Sequence, residues 1–224
     1  MQAGVESLET RARLTGGSSS DAIYRMVADA VRSRGIRGAR LVDVGCGSGA
    51  LWPFLQHQFS SYCGIDAARY DGFPSSGDFR QADFDRSDWS VDANVADLVV
   101  SLETIEHVEN PWAFMRGLVR IAKPGAWLAV TTPNQLSWLS LATLIVRHRF
   151  SAFPDAYYPI HRTALLESDL RHAAEDCGLE EVVILYTRSG RIPKTAWHYP
   201  RAIADLFPRG LSDNLMVLAR KPRD

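Results

Sequence analysis

Residues 41–51, Leu-Val-Asp-Val-Gly-Cys-Gly-Ser-Gly-Ala-Leu, restrict this chain more than any other stretch. The segment opens as a short apolar run of strand type and turns through glycines at alternate positions. It continues into Leu51-Trp52-Pro53-Phe54-Leu55, which reads as helix. Glycine permits positive φ and lets a ligand approach bare backbone. A following helix directs free N–H groups and a positive dipole end at whatever sits above the strand. Strand, glycine turn and helix in that order predict a site for an adenosine-containing cofactor. The glycines do not choose among such cofactors, because Gly45-x-Gly47-x-x-Ala50 also satisfies the relaxed dinucleotide fingerprint.

The flanking pattern supplies the fold class. Helical spacing of Ile23, Met26, Val27, Ala30 and Val31, ended by Gly35, predicts a packing helix before the first strand. Further strands are expected at 61–66, weakly at 79–83, at 96–101 and at 126–132. Asn110-Pro111 opens a helix that runs to a stop at Lys123-Pro124-Gly125. A helix over 162–177, closed by Gly178, precedes strands over 179–186 and 214–219 with no helix-length apolar pattern between them. Alternating strands and helices predict an α/β, Rossmann-like sheet of seven mostly parallel strands with helices on both faces and an antiparallel last strand.

Residues 1–19 form a polar lead, disordered or acting as a movable flap, and 20–224 a single domain with insertions at about 135–161 and 188–210. A formal net charge of −1 gives no global electrostatic case for nucleic acid or an anionic membrane and leaves room for a local patch. The cysteines Cys46, Cys63 and Cys177 lack metal or disulfide spacing, and neither an apolar leader nor a spanning run is visible, so a cytoplasmic protein is expected.

Together, Val42 to Gly49, Gly64-Ile65-Asp66, Gln81-Ala82-Asp83-Phe84, Ser101 to Val108, Lys123-Pro124-Gly125 and Thr131-Thr132-Pro133-Asn134 resemble the class I S-adenosylmethionine-dependent methyltransferases. The likeness is tight over roughly 38–135 and loose over 162–188. It implies S-adenosylmethionine as cofactor and S-adenosylhomocysteine as product, with the methionine end over Gly45, Cys46, Gly47 and Gly49. Asp43 would hold the loop or the ammonium group. Asp66, next to Ala67, would accept from the ribose hydroxyls, Asp83 from the adenine amino group beside Phe84, and Ser101 and Leu102 would offer backbone groups. Asp83 has a rival role as a solvated turn acid in a loop with Asp85 and Asp88.

Glu103, Glu106 and His107, at i, i+3 and i+4, would share a face if one helical turn follows the fourth strand. Imidazole accepts a proton near neutral pH, so His107, with Glu106, is the candidate base for O-methyl transfer. The same pattern is similar to ubiquinone-pathway O-methyltransferases and small-RNA 2′-O-methyltransferases, in which these residues hold a divalent cation. That resemblance implies Glu103, Glu106, His107 and His161 as a possible metal set. Plain turn and packing roles for the three residues remain open.

On the acceptor side, 136–149 reads as an apolar helix ending in Arg147, His148 and Arg149. It could line a pocket, touch a membrane surface peripherally, or serve as an ordinary core or dimer helix. Trp197, His198 and Tyr199, among Arg188, Arg191, Lys194, Arg201 and Arg209, could clamp a sugar or phosphorylated acceptor or form a solvated lid. The expected acceptor is a small or glycan-like molecule, with N- or C-methyl transfer and a non-catalytic cofactor-binding role as alternatives. Nucleic acid is not expected, and the oligomeric state is open.

Overall fold

The computed structural model describes residues 8–86 and 89–223. Asp88 and residues 1–7 of the lead lie outside the described residues. Seven strands form one sheet: β1 (Gly38–Val44), β2 (Phe59–Asp66), β3 (Asp78–Gln81), β4 (Ala96–Ser101), β5 (Ala122–Pro133), β6 (Glu180–Tyr186) and β7 (Asn214–Arg220). Their order is β3-β2-β1-β4-β5-β7-β6. The β3–β2, β2–β1, β1–β4 and β4–β5 pairs are parallel, and β7 runs antiparallel to both neighbours. The predicted sheet, with its antiparallel last strand, is the observed one.

Both faces are buried, and strand periodicity shows how. Along β4, Val99 packs into one core layer while Leu98 and Val100 pack into the other. Along β7, Leu215 and Val217 alternate with Met216 and Leu218 in the same way. On the first face lie Phe114, Met115 and Leu118 of α4 (Pro111–Ile121) and Leu170 and Ala173 of α6 (Glu167–Asp176). The second face is covered by Ile23, Val27 and Val31 of α2 (Asp21–Ser33). Complete burial of a side chain such as Phe114 contributes about 1.5–3 kcal/mol. The strand order reverses between β1 and β4, and such a sheet opens a crevice at the carboxyl ends of its central strands.

Several elements differ from expectation. Residues 8–14 of the polar lead form α1 (Leu8–Leu14). The helix after the glycine turn is only four residues, α3 (Trp52–Leu55). Capped by the Asn110 side chain, which accepts from the Ala113 N–H at 2.9 Å, α4 stops at Ile121. Lys123, Pro124 and Gly125 therefore belong to β5 rather than to a break before it. Helix α6 begins five residues after Arg162, and the segment before it is tied to the 104–107 turn by the Arg162 and Thr163 N–H groups, which donate to the Glu106 carbonyl at 2.9 and 3.1 Å.

The acceptor-side insertion contains α5 (Trp138–Arg147), capped by Ser137, and a 3-10 turn at Asp155–Tyr157. The core reading of α5 is overturned: Ile145 and Val146 are 78% and 75% exposed. Between β6 and β7 the chain forms an isolated bridge, Arg191 to His198, and the short α7 (Arg201–Leu206). Among the described residues no helix is long and apolar enough to cross a membrane.

Candidate active site

The crevice is a cavity of about 510 Å³, a size ordinary for a cofactor pocket. Its floor is the glycine turn. Gly45, Gly47 and Gly49 have φ of 79°, 51° and 75°, a conformation that favours glycine. A Cβ on Gly47 would stand 2.1 Å from the Gly17 carbonyl oxygen, and one on Gly45 would stand 2.0 Å from Thr104 Oγ1. The sequence led us to expect free N–H donors here, and the structure corrects that. Gly45 and Cys46 donate to the Ile65 carbonyl, Gly47 to Asp66 Oδ2 at 2.8 Å, Ser48 to the Gly17 carbonyl at 2.8 Å and Gly49 to the Cys46 carbonyl. With α3 so short and these donors occupied, the turn contributes space and shape rather than an N-terminal dipole.

Asp66, at the tip of β2, lines the cavity. Its Oδ1 accepts from Ala67 N–H at 2.7 Å and Ala68 N–H at 3.4 Å and its Oδ2 from Gly47 N–H, which leaves a lone pair on Oδ2 for a ligand hydroxyl. Burial raises its pKa, against the lowering effect of these N–H groups and the nearby His107. Asp43 is fully buried and its pKa is pushed up to about 7 by desolvation, with the Tyr62 hydroxyl, 2.9 Å from Oδ2, acting the other way.

Ala67, Asp83, Phe84 and Leu102 also line the cavity, along with Gly45, Cys46 and Gly47. Asp83 combines this position with a turn role, accepting from Asp85 N–H at 3.0 Å. Phe84 is fixed by edge contacts to Trp89 and Phe114. Gly49 and Ser101 are outside the lining. Gly49 backs onto Pro74 and Tyr62, and Ser101 is buried with its hydroxyl unpartnered among the described residues.

The segment after β4 is not the expected helical turn. Glu103 adopts φ of 50°, and residues 104–107 form a turn closed by His107 N–H donating to the Thr104 carbonyl at 2.9 Å. Glu103 is thereby turned away from the histidine: its Oε1 accepts from Thr131 Oγ1 at 2.9 Å and its Oε2 from Asn214 Nδ2 at 2.6 Å. Glu106 is fully buried. Its Oε2 accepts from Thr132 at 3.1 Å, and its Oε1 has no partner among the described residues. Desolvation raises the Glu106 pKa to about 8 and lifts that of Glu103 as well.

His107 and His161 meet ring to ring, with centroids 4.8 Å apart. His107 Nδ1–H donates to the Ile160 carbonyl at 2.8 Å and His161 Nδ1–H to the Ala152 carbonyl at 2.6 Å. A carbonyl only accepts, so in each neutral ring Nε2 keeps its lone pair. Burial lowers both histidine pKa values, which holds the rings neutral at pH 7. Glu106, His107 and His161 offer ligand atoms within 4.8 Å of one another; Glu103, engaged elsewhere, is outside that group. Such a group can take a proton from a hydroxyl or hold a cation.

Two parts of the site were not singled out in the sequence. The lead closes one side through Ala12, Leu14, Thr15 and Gly17. It is tied down by the Tyr70 hydroxyl donating to the Ala12 carbonyl, by the Ser48–Gly17 hydrogen bond and by Ser19 N–H on the Tyr24 hydroxyl at 2.7 Å. Its glycines and serines signalled a flap, but nothing local to them named Tyr70 as the partner. On the other side, a groove of about 1250 Å³ shares Ser20, Glu103, Tyr157, His161 and Asn214 with the cavity. Of the aromatic and basic loop, Arg188, Arg191, His198, Tyr199 and Arg201 reach this groove. Trp197 does not and is 76% exposed.

A family model described as a methyltransferase domain matches residues 20–183. A ubiquinone biosynthesis O-methyltransferase of Hahella chejuensis is 34% identical over 107 residues, 44% of this chain and 44% of the relative, so the match spans under half of that protein's length. One from Maricaulis maris is 26% identical over 200 residues, 84% of this chain and 74% of the relative. Among solved structures, a SAM dependent methyltransferase from Archaeoglobus fulgidus superposes with a TM-score of 0.63 at 16% identity, covering 88% of this chain and 94% of that one. At that identity the superposition speaks for the fold.

Proposed function

Because this chain belongs to the methyltransferase-domain family, we propose that it transfers the methyl group of S-adenosylmethionine to an oxygen of a small or glycan-like acceptor, with His107 as the base. The residues fit the cofactor: bare glycine backbone forms the floor, and a buried carboxylate with a spare lone pair on Oδ2, Asp66, stands at the wall. When bound, S-adenosylmethionine supplies an electrophilic methyl group on sulfur. The chain's own residues then position the acceptor hydroxyl and take its proton at His107 Nε2.

The observation that carries this reading is the neutral His107, held by the Ile160 carbonyl in the cavity wall against His161, which lines both cavity and groove. The curated ubiquinone-pathway relatives support oxygen as the methylated atom. Calorimetry tests the cofactor: S-adenosylhomocysteine should bind and NAD should not, and the reverse result sinks the proposal. His107→Ala should keep S-adenosylhomocysteine affinity while turnover falls by about 10²–10⁴-fold. Retained turnover would remove His107 from the base role and favour N- or C-methyl transfer.

A second reading rests on the cluster of Glu106, His107 and His161. The buried, unpartnered Glu106 Oε1 and two imidazole lone pairs suit a divalent cation that would acidify an acceptor hydroxyl. Calorimetric titration with Mg²⁺ or Mn²⁺ should show one site that Glu106→Gln abolishes. No heat of binding, with activity unchanged by a chelator, leaves the metal-free base.

A further inference from the structure

Helix α5 is turned inside out. Its exposed apolar positions are Trp138, Leu141, Ala142, Ile145 and Val146, a stripe at i, i+3, i+4, i+7 and i+8, whereas the fully buried residue of the helix is Ser140. The stripe does not end with the helix. Trp138 packs on Phe207 just past α7, with ring centroids 5.6 Å apart, and the Trp138 backbone N–H donates to the Gly210 carbonyl at 2.8 Å. Ile203 and Leu206 of α7 and Phe207 extend the exposed apolar surface beside α5. A contiguous face of this kind marks a docking site rather than scattered surface leucines.

Charge selects the occupant. Residues 135–154 contain no Asp or Glu, and the helix ends in Arg147, His148 and Arg149. Neither arginine forms an ion pair among the described residues. The acid of α7, Asp205, is already shared by Arg188 and Arg201. A second copy docking through the same face would set basic ends against an equally acid-free stripe, because a two-fold interface pairs a patch with itself. A bilayer carrying anionic headgroups complements both parts at once: the stripe enters the acyl boundary, and the arginines meet phosphate. At about 1.5 Å per residue α5 is roughly 15 Å long, half a hydrocarbon core, so it lies in the interface plane.

We infer that the α5–α7 face seats the protein on an anionic membrane surface. The chain that leaves α5 runs through Ser151 and Ala152 to Tyr157 and His161, so the docked face adjoins the groove leading to the cavity. The inference rests on the surface alone and stands whether or not the proposed transfer chemistry does.

Vesicle flotation of the full chain tests it. Wild type should float with vesicles of equal phosphatidylcholine and phosphatidylglycerol, float less with phosphatidylcholine alone, and lose binding as salt rises. Ile145→Ser/Val146→Ser and Arg147→Gln/Arg149→Gln should each lower partitioning at least about tenfold. Ile145, Val146 and Arg147 are exposed and Arg149 is half-buried, and unchanged S-adenosylhomocysteine binding or melting reports the intact fold. Three results overturn the inference: no flotation of wild type on the mixed vesicles; flotation that neither variant weakens; or a solution dimer that Ile145→Ser/Val146→Ser splits while vesicles fail to bind.

Discussion

Glu106 concentrates the chemical tension of the site in one side chain. It is buried without a partner for Oε1 among the described residues, and its pKa, pushed up to about 8, keeps a proton on it at pH 7, while His107 beside it carries none on Nε2. A carboxyl whose pKa is raised on folding holds its proton in the folded state where the unfolded chain has lost it. It therefore costs stability as pH climbs from the ordinary carboxylate range near 4.5 toward 8. Glu106→Gln removes that cost. Denaturant melts should show the variant gaining on wild type by a few kcal/mol between pH 5 and pH 8, and parallel pH profiles would show that Glu106 is ionised after all. His107, with its pKa lowered, predicts the opposite slope for turnover, which should persist through the ordinary histidine range and fall only at lower pH. The sequence placed Glu106 and His107 at the site, but could not show that Glu103 faces Thr131 and Asn214. Only a left-handed residue after β4 separates the two glutamates, and helical spacing hid it.

At the level of elements, the glycine turn and the N-terminal lead act as one assembly. Gly47 must lack a Cβ because the Gly17 carbonyl occupies its place, and the same carbonyl takes the Ser48 N–H. Gly47→Ala should displace the lead as well as strain the turn. The expected result is at least about tenfold weaker S-adenosylhomocysteine binding by calorimetry together with faster proteolysis around residues 15–19. Weaker binding with unchanged proteolysis would show that the turn alone responds. The strands of this region were legible because a buried parallel sheet writes itself as short β-branched runs such as Asp97-Leu98-Val99-Val100. Helix α6 was misplaced at its start, and the carbonyl that ties down Arg162 and Thr163 in the segment before it belongs to Glu106, more than fifty residues away. No local pattern records such a bond.

For the whole molecule, the sheet order decides what the cavity can be made of. Parallel strands deliver Asp43, Asp66 and the 101–108 segment to one end, and antiparallel β7 brings the Asn214 side chain to the same end from its first residue. The segment from Asn134 to His161 hangs on this frame by its two ends. Asn134 Nδ2 donates to the Arg209 and Ser212 carbonyls at 2.7 and 2.9 Å, and Arg162 and Thr163 are held by Glu106. Those two clasps, with Trp138 seated on Gly210 and Phe207 and the Ile160 carbonyl on His107, make the segment a cassette with four attachment points. A replacement that keeps all four would leave the cofactor floor unchanged, so the acceptor a scaffold serves can be swapped without rebuilding the scaffold.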